Sequence, residues 1–321
     1  MSSLASRILK GDRRAVARLI RDIDDRMPSA REELKALYPH TGNAHIIGLT
    51  GAPGSGKSSL TDQLIAAFRQ RGQTVGVLAV DPSSPFTGGA ILGDRIRMQQ
   101  HTLDKGVFIR SMATRGHLGG LTRSTRDAAR VLDAFGVDII LIETVGVGQD
   151  EVDIVKQADT TLVIAVPGLG DEVQAIKAGV LEIGDIFVVN KSDLPGARKA
   201  KRDLEMMLDL RPRPADAWHP PVLQSIATQS EGIEQILTYT DKHVEHIREH
   251  DGHKHKRERL HEEFFVLLKG ILHDQLESLL QSPTHSASFF EALEQEAQDP
   301  MTLAEQFIER YVSFHHTPNQ Q

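Results

Sequence analysis

The chain of 321 residues contains no cysteine. That excludes a disulfide framework, a thiolate metal site and a cysteine nucleophile, and it makes the cytoplasm the expected location. No stretch approaches the roughly 20 consecutive apolar residues that span a bilayer, so no membrane association is expected. The opening residues, "MSSLASRILKGDRRAVARLI", lack an apolar core followed by a small-residue cleavage site. They are rich in arginine, but Asp12, Asp22, Asp24 and Asp25 argue against a transit peptide. Positive charge is not in excess either. A net charge of −7 disfavours a general nucleic-acid partner. The single tryptophan, Trp218, reads as a packing anchor rather than a ligand platform.

What is present is a chain that is 40% hydrophobic, ample for a buried core. Three regions differ in pattern. Residues 1–44 read as a helical extension, with Leu4, Ile8, Val16, Leu19, Ile20 and Ile23 recurring at three- and four-residue intervals. Residues 45–240 alternate short apolar runs with helical stretches. The expected strands are 45–50, 74–80, 106–110, 137–142, 160–166, 185–190 and 221–225. Helices are expected near 57–71, 122–135, 171–183 and 196–209. Most of the strand runs are continuously apolar, as in sheets covered on both faces, so the expected fold is α/β: a doubly wound, mostly parallel sheet with helical extensions at both ends. Residues 241–321 are helix-forming and rich in charge and histidine.

Strand 45–50 runs into "GAPGSGKS", residues 51–58, which satisfies G-x-x-x-x-G-K-[ST] between a strand and a helix. The backbone of Gly51, Ala52, Pro53, Gly54, Ser55 and Gly56 would curl around phosphate oxygens, with Ser59 beside them in the following helix. That helix adds its positive end. Lys57 would reach the β- and γ-phosphates and Ser58 would ligate Mg²⁺. Ala52 stands where a sub-class of dimerising ATPases carries an extra lysine, which disfavours that class.

The run at 185–190 leads into "NKSD", Asn190 to Asp193. The Asp193 carboxylate can accept from N1–H and the 2-amino group of guanine, a donor pattern adenine lacks. Asn190 is expected to donate to the far edge of the base, and the Lys191 stem to lie over its plane. A second base loop is expected within 224–232, where Ser225 and the Ala227 N–H, the latter aimed at guanine O6, are candidates. Ile226 makes the match to the usual Ser-Ala pair a poor one. GTP is therefore favoured over ATP. Three acids, Asp81, Asp94 and Glu143, stand at or beyond strand ends and could serve Mg²⁺ directly or through water. The bland reading makes Asp81 a turn cap and Asp94 a helix cap. After Glu143, "TVGVGQ" places Gly146 where its N–H can meet the γ-phosphate. Val147 follows where a water-orienting glutamine would help, which implies slow hydrolysis without a partner.

The segments "GAPGSGKSSL", "VLAVDPSSPFTGGAILGDRIRM", "RSMATRGHLGGLT", "IETVGVGQDE" and "NKSDLPGA", in this order, resemble the MeaB/ArgK-like P-loop GTPases, the SIMIBI-type G proteins associated with methylmalonyl-CoA mutase. The resemblance implies a GTPase domain over 45–240, a C-terminal helical dimerisation arm over 241–321 and a homodimer. It further implies Mg²⁺ with bound GTP or GDP, and assistance to an adenosylcobalamin-dependent acyl-CoA mutase in loading, protecting or reactivating its cofactor. The adenosylcobalamin would belong to that partner. The resemblance also implies an additional switch at 168–179, with Asp171, Glu172, Gln174 and Lys177 as candidates for partner contacts. Arg110, Arg115 and His117 are candidates near the switches. Two alternatives come from other classes: a nickel-delivering GTPase, suggested by His243, His246, His250, His253, His255 and His261, and a kinase linked to amino-acid transport.

Overall fold

The computed structural model describes residues 3–81, 99–101, 103–113, 123–144, 157–168, 178–210, 214, 217–251, 254–295 and 298–311. The chain divides into two compact units, Met1–Gly252 and His253–Gln321.

The first unit is built on a seven-stranded sheet. Its strands are β1 (His45–Gly51), β2 (Val75–Asp81), β3 (Val107–Ala113), β4 (Ile139–Thr144), β5 (Thr160–Ala165), β6 (Ile186–Val189) and β7 (Val222–Gln224). They lie in the order β3-β2-β4-β1-β5-β6-β7, and every neighbouring pair is parallel. The expected doubly wound α/β fold is therefore present. Continuous burial along β4 and β5 explains their uninterrupted apolar runs, because both faces of the sheet are covered.

Alternation along β4 sorts its residues between two cores. Ile139 and Leu141 pack with Leu60, Leu64 and Phe68 of α4 (Lys57–Gln70), and with Ile233, Ile236 and Leu237 of a late helix, Ile233–His246. Ile140 and Ile142 face the other way, into a core shared with a helix at Arg123–Phe135 and with the N-terminal helices α1 (Leu4–Ile8), α2 (Arg13–Asp24) and α3 (Ser29–Leu37). Among the described residues of this unit, the α-helices after α4 are α5 (Arg123–Phe135), α6 (Ala178–Ile183), α7 (Ala197–Asp209) and α8 (Ile233–His246). α7 covers the β5–β6–β7 side through Ala197, Ala200, Leu204 and Leu208.

Asp12 caps α2, accepting from Arg14 N at 2.9 Å and Ala15 N at 3.2 Å. The apolar stripe of α2, Val16, Leu19, Ile20 and Ile23, is buried together with Val131 and Leu132 of α5. Asp133 then fastens the connection to β1 by accepting from the backbone N–H groups of Gly42, Asn43 (3.1 Å) and Ala44 (2.9 Å).

The second unit holds α9 (Lys254–Gln281), α10 (Pro283–Glu294) and α11 (Pro300–Tyr311). Phe289 packs edge-on to Phe307 at 5.1 Å, and Leu303 and Phe307 are buried. Phe264 and Phe265 of α9 remain 61% and 58% exposed. No helix among the described residues is long and apolar enough to cross a membrane.

Candidate functional site

The carboxyl ends of β1, β4 and β6 converge at one edge of the sheet, where open α/β folds bind ligands. β1 ends at Gly51 with φ +141°, and a Cβ there would meet the Ile164 carbonyl oxygen at 2.2 Å. Only glycine permits that turn against β5. The loop closes on itself through Ser55 N, which donates to Ala52 O at 3.1 Å. Gly56, in the left-handed region at φ +89°, then starts α4 without a side-chain cap. The amino end of α4 is thus left with backbone N–H groups for an anion.

Lys57 is 7% exposed, and its ammonium donates to Gly51 O at 2.7 Å and Ala52 O at 3.1 Å. The expected phosphate-reaching lysine is therefore folded back into the cradle of the loop. Ser58, also buried, donates to Glu143 Oε1 at 2.6 Å, and the second carboxylate oxygen accepts from Thr61 Oγ1 at 2.9 Å. Glu143 reaches α4 from β4 because the register sets it beside Leu49, two residues before Gly51. The carboxylate is 3% exposed.

A buried serine hydroxyl and a carboxylate in contact form a hard-oxygen pair suited to Mg²⁺. Asp81 closes β2 at the same edge of the sheet, but its side chain lies outside the described residues. Asp94, Gly146 and the switch candidates Arg115, His117, Asp171, Glu172, Gln174 and Lys177 lie outside them as well. Ser59 is exposed on α4.

The base loop departs from expectation. Asn190 is 2% exposed, and its Nδ2 donates to Ser55 O at 2.9 Å. Its Oδ1 accepts from Ser225 Oγ at 3.1 Å and Ala227 N at 3.2 Å. Asn190 is thus first a brace between the phosphate loop and the base loop, with one amide hydrogen left for any base. The single hydrogen of the Ala227 N–H goes to Asn190, not outward to a guanine O6. The Ser225 hydroxyl likewise donates to Asn190. Lys191, at φ +54°, lies along the phosphate loop and donates to Gly54 O at 2.8 Å. Asp193 is exposed beyond it, available for a ligand edge.

No sequence motif marks Thr61. It lies three residues after Ser58 on α4, and that spacing, which puts both hydroxyls on one face, is its one signal in the sequence.

At the opposite, amino edge, His243 serves structure, while His253 and the side chain of His255 lie outside the described residues. His243 is 5% exposed, with Nδ1 2.8 Å from Thr160 Oγ1 and Nε2 3.4 Å from Asp185 Oδ1. Trp218 stacks at an angle on His243, 4.9 Å between ring centroids, and donates from Nε1 to Asp185 O at 2.7 Å. It is the expected packing anchor. Burial pushes the Asp185 carboxyl up to about 7; the charge of Asp159 adds to this and the hydrogen bond from Thr161 N opposes it. Among the described residues, no three histidines or acids converge as metal ligands.

Comparison with known proteins agrees with this geometry. Residues 16–283 match the family model "Methylmalonyl Co-A mutase-associated GTPase MeaB". A Pyrococcus abyssi protein named as a GTPase is 48% identical over 97% of both chains. The GTPase ArgK of Escherichia coli is 36% identical over 72% of each chain. A Caenorhabditis elegans protein named methylmalonic aciduria type A homolog, mitochondrial, is 34% identical over 74% of this chain and 64% of its own. The solved structure of a LAO/AO transport system kinase superposes with a TM-score of 0.69 at 25% identity, covering 97% of both chains. Phosphate loop, hydroxyl–carboxylate pair and braced base loop therefore sit in a P-loop GTPase, and the chain belongs to the methylmalonyl-CoA mutase-associated GTPase MeaB family.

Proposed function

We propose that this GTPase is a chaperone-type G protein for an adenosylcobalamin-dependent acyl-CoA mutase of the methylmalonyl-CoA mutase kind, acting in loading, protection or reactivation of the cofactor. The observation that carries the nucleotide half is the convergence of Lys57, Ser58 and Glu143 with a base loop braced through Asn190. The mutase half rests on the family match and on the name of the C. elegans relative.

In this reading the N–H groups at the start of α4 and the Lys57 ammonium bind the phosphates, and Asp193 selects guanine. Ser58 and Glu143, with Asp81 and Asp94, would hold Mg²⁺, which when bound neutralises charge on the β- and γ-phosphate oxygens. Gly146 reports the γ-phosphate through its loop. Val147, in place of a glutamine, leaves the attacking water poorly held, so hydrolysis is slow until a partner completes the site. The exposed apolar face of α9, including Phe264 and Phe265, supports a homodimer formed through the C-terminal arm.

GTP turnover measured with and without the adenosylcobalamin-dependent acyl-CoA mutase of the same organism tests the proposal. Acceleration by the mutase is expected. Unchanged turnover with every such mutase would remove the partner, and label from γ-phosphate found on a protein acceptor would favour the transport-kinase reading.

A further inference from the structure

We propose that Thr61 is a positioning residue for Glu143, holding the carboxylate in one orientation while its other neighbour, Ser58, changes partners. The inference rests on the nucleotide and Mg²⁺ reading of the site given above.

Thr61 is completely buried, one turn into α4. Its hydroxyl lies 2.9 Å from Glu143 Oε2 and 3.0 Å from the Lys57 carbonyl. The two oxygens of one carboxylate are therefore gripped separately, Oε1 by Ser58 and Oε2 by Thr61. The two grips are not equivalent. Ser58 is the hydroxyl whose lone pair a cation would take, so its geometry must alter as Mg²⁺ comes and goes. Thr61 is not a ligand candidate, and its tie to Oε2 does not depend on the cation.

A carboxylate whose Oε2 loses this tie is freer to swing about its side-chain torsions. Attached at both oxygens, it presents the same lone pairs each time the ion returns. Buried groups that orient a metal-site acid in this way typically shift metal affinity 10- to 100-fold when removed.

The choice of threonine is specific. Packing at a fully buried, β-branched position would be met as well by valine. The hydroxyl adds one proton and two acceptors that compete for it, Glu143 Oε2 and the carbonyl four residues back. A charged acceptor makes the stronger hydrogen bond, so the proton goes to Glu143. The carbonyl of Lys57, 3.0 Å away, is the acceptor that helical threonines commonly use, and here it stands second to the carboxylate.

The test is the Mg²⁺ dependence of guanine-nucleotide affinity, measured with fluorescent GDP over a titration of Mg²⁺ and again in excess chelator. Thr61→Val should raise the half-saturating Mg²⁺ concentration about tenfold while leaving affinity in chelator within twofold of the unaltered chain. Thr61→Ser should restore the original Mg²⁺ dependence, because it keeps the hydroxyl. In a Glu143→Gln background, Thr61→Val should add no further shift. Thr61→Ala, which omits the branch, serves the same comparison should the valine variant not fold. An unchanged Mg²⁺ dependence in the valine and alanine variants would overturn the proposal, as would an equal loss of affinity with and without Mg²⁺. Failure of the unaltered chain to bind GDP at all would overturn the nucleotide reading itself, which separates the two failures.

Discussion

Asn190 donates from Nδ2 to the backbone carbonyl of Ser55 across 2.9 Å, joining residues 135 positions apart in the chain. Gly56 makes the approach possible, since a Cβ there would lie 2.4 Å from that same nitrogen. The phosphate loop and the base loop are consequently one hydrogen-bonded object rather than two sites that share a ligand.

Asn190→Ala should therefore cost stability as well as nucleotide. It strands the buried Ser55 carbonyl and Ala227 N–H, each at about 1–3 kcal/mol. Chemical unfolding followed by the fluorescence of Trp218, the only tryptophan, would register the loss. GTP affinity should fall in parallel, since the phosphate loop loses its brace.

Asp193→Asn should behave in the opposite way. The side chain is exposed, so unfolding should be unchanged within about 0.5 kcal/mol. GTP affinity should drop by about two orders of magnitude or more. Xanthosine triphosphate, whose base carries a carbonyl in place of the 2-amino group, should bind the variant better than it binds the original chain. Equal GTP affinity in both chains would remove Asp193 from the base site.

The Asp185 carboxyl supplies a pH dependence. Its ordinary value is 3.8, and burial raises it to about 7 in the fold. Between those values the folded chain keeps a proton that the unfolded chain has lost, so this group's contribution to stability falls as pH rises from about 4 to about 7 and is constant above that. The total is about 4 kcal/mol or less, since the side chain keeps 30% exposure. Asp185→Asn should flatten that part of the stability profile. An unaltered slope in the variant would show that the proton is bound elsewhere.

The exposed face of α9 carries the prediction for assembly. Replacing Phe264 and Phe265 together by Asp should convert a dimer to a monomer by light scattering, with GTP binding retained. A dimer that persists would place the interface elsewhere.

Much of the fold is legible in the residues because parallel strands covered on both faces must be apolar throughout. β1, β2, β4, β5, β6 and β7 fall within two residues of their expected ends. β3 runs to Ala113, three residues past its expected end at 110, because Arg110, Ser111, Met112 and Ala113 pair with Leu78 to Asp81 of β2. That pairing is a tertiary fact, and "RSMA" carries no local strand pattern to show it. The phosphate loop is legible because its chemistry is contiguous. The brace at Asn190 and the grip of Thr61 on Glu143 are not, since each depends on which distant backbone or side chain arrives beside it.

The Asp133 clasp on Gly42, Asn43 and Ala44 has a consequence for the order of assembly. The apolar stripe of α2 is complete by residue 24, yet the surface it buries against, α5, ends at residue 135. At the roughly 5–20 residues per second of synthesis, the first helices wait several seconds or more on the ribosome before the partner that shelters them exists. These helices therefore settle well after they are made, and a nascent chain cut short before α5 would carry that stripe uncovered.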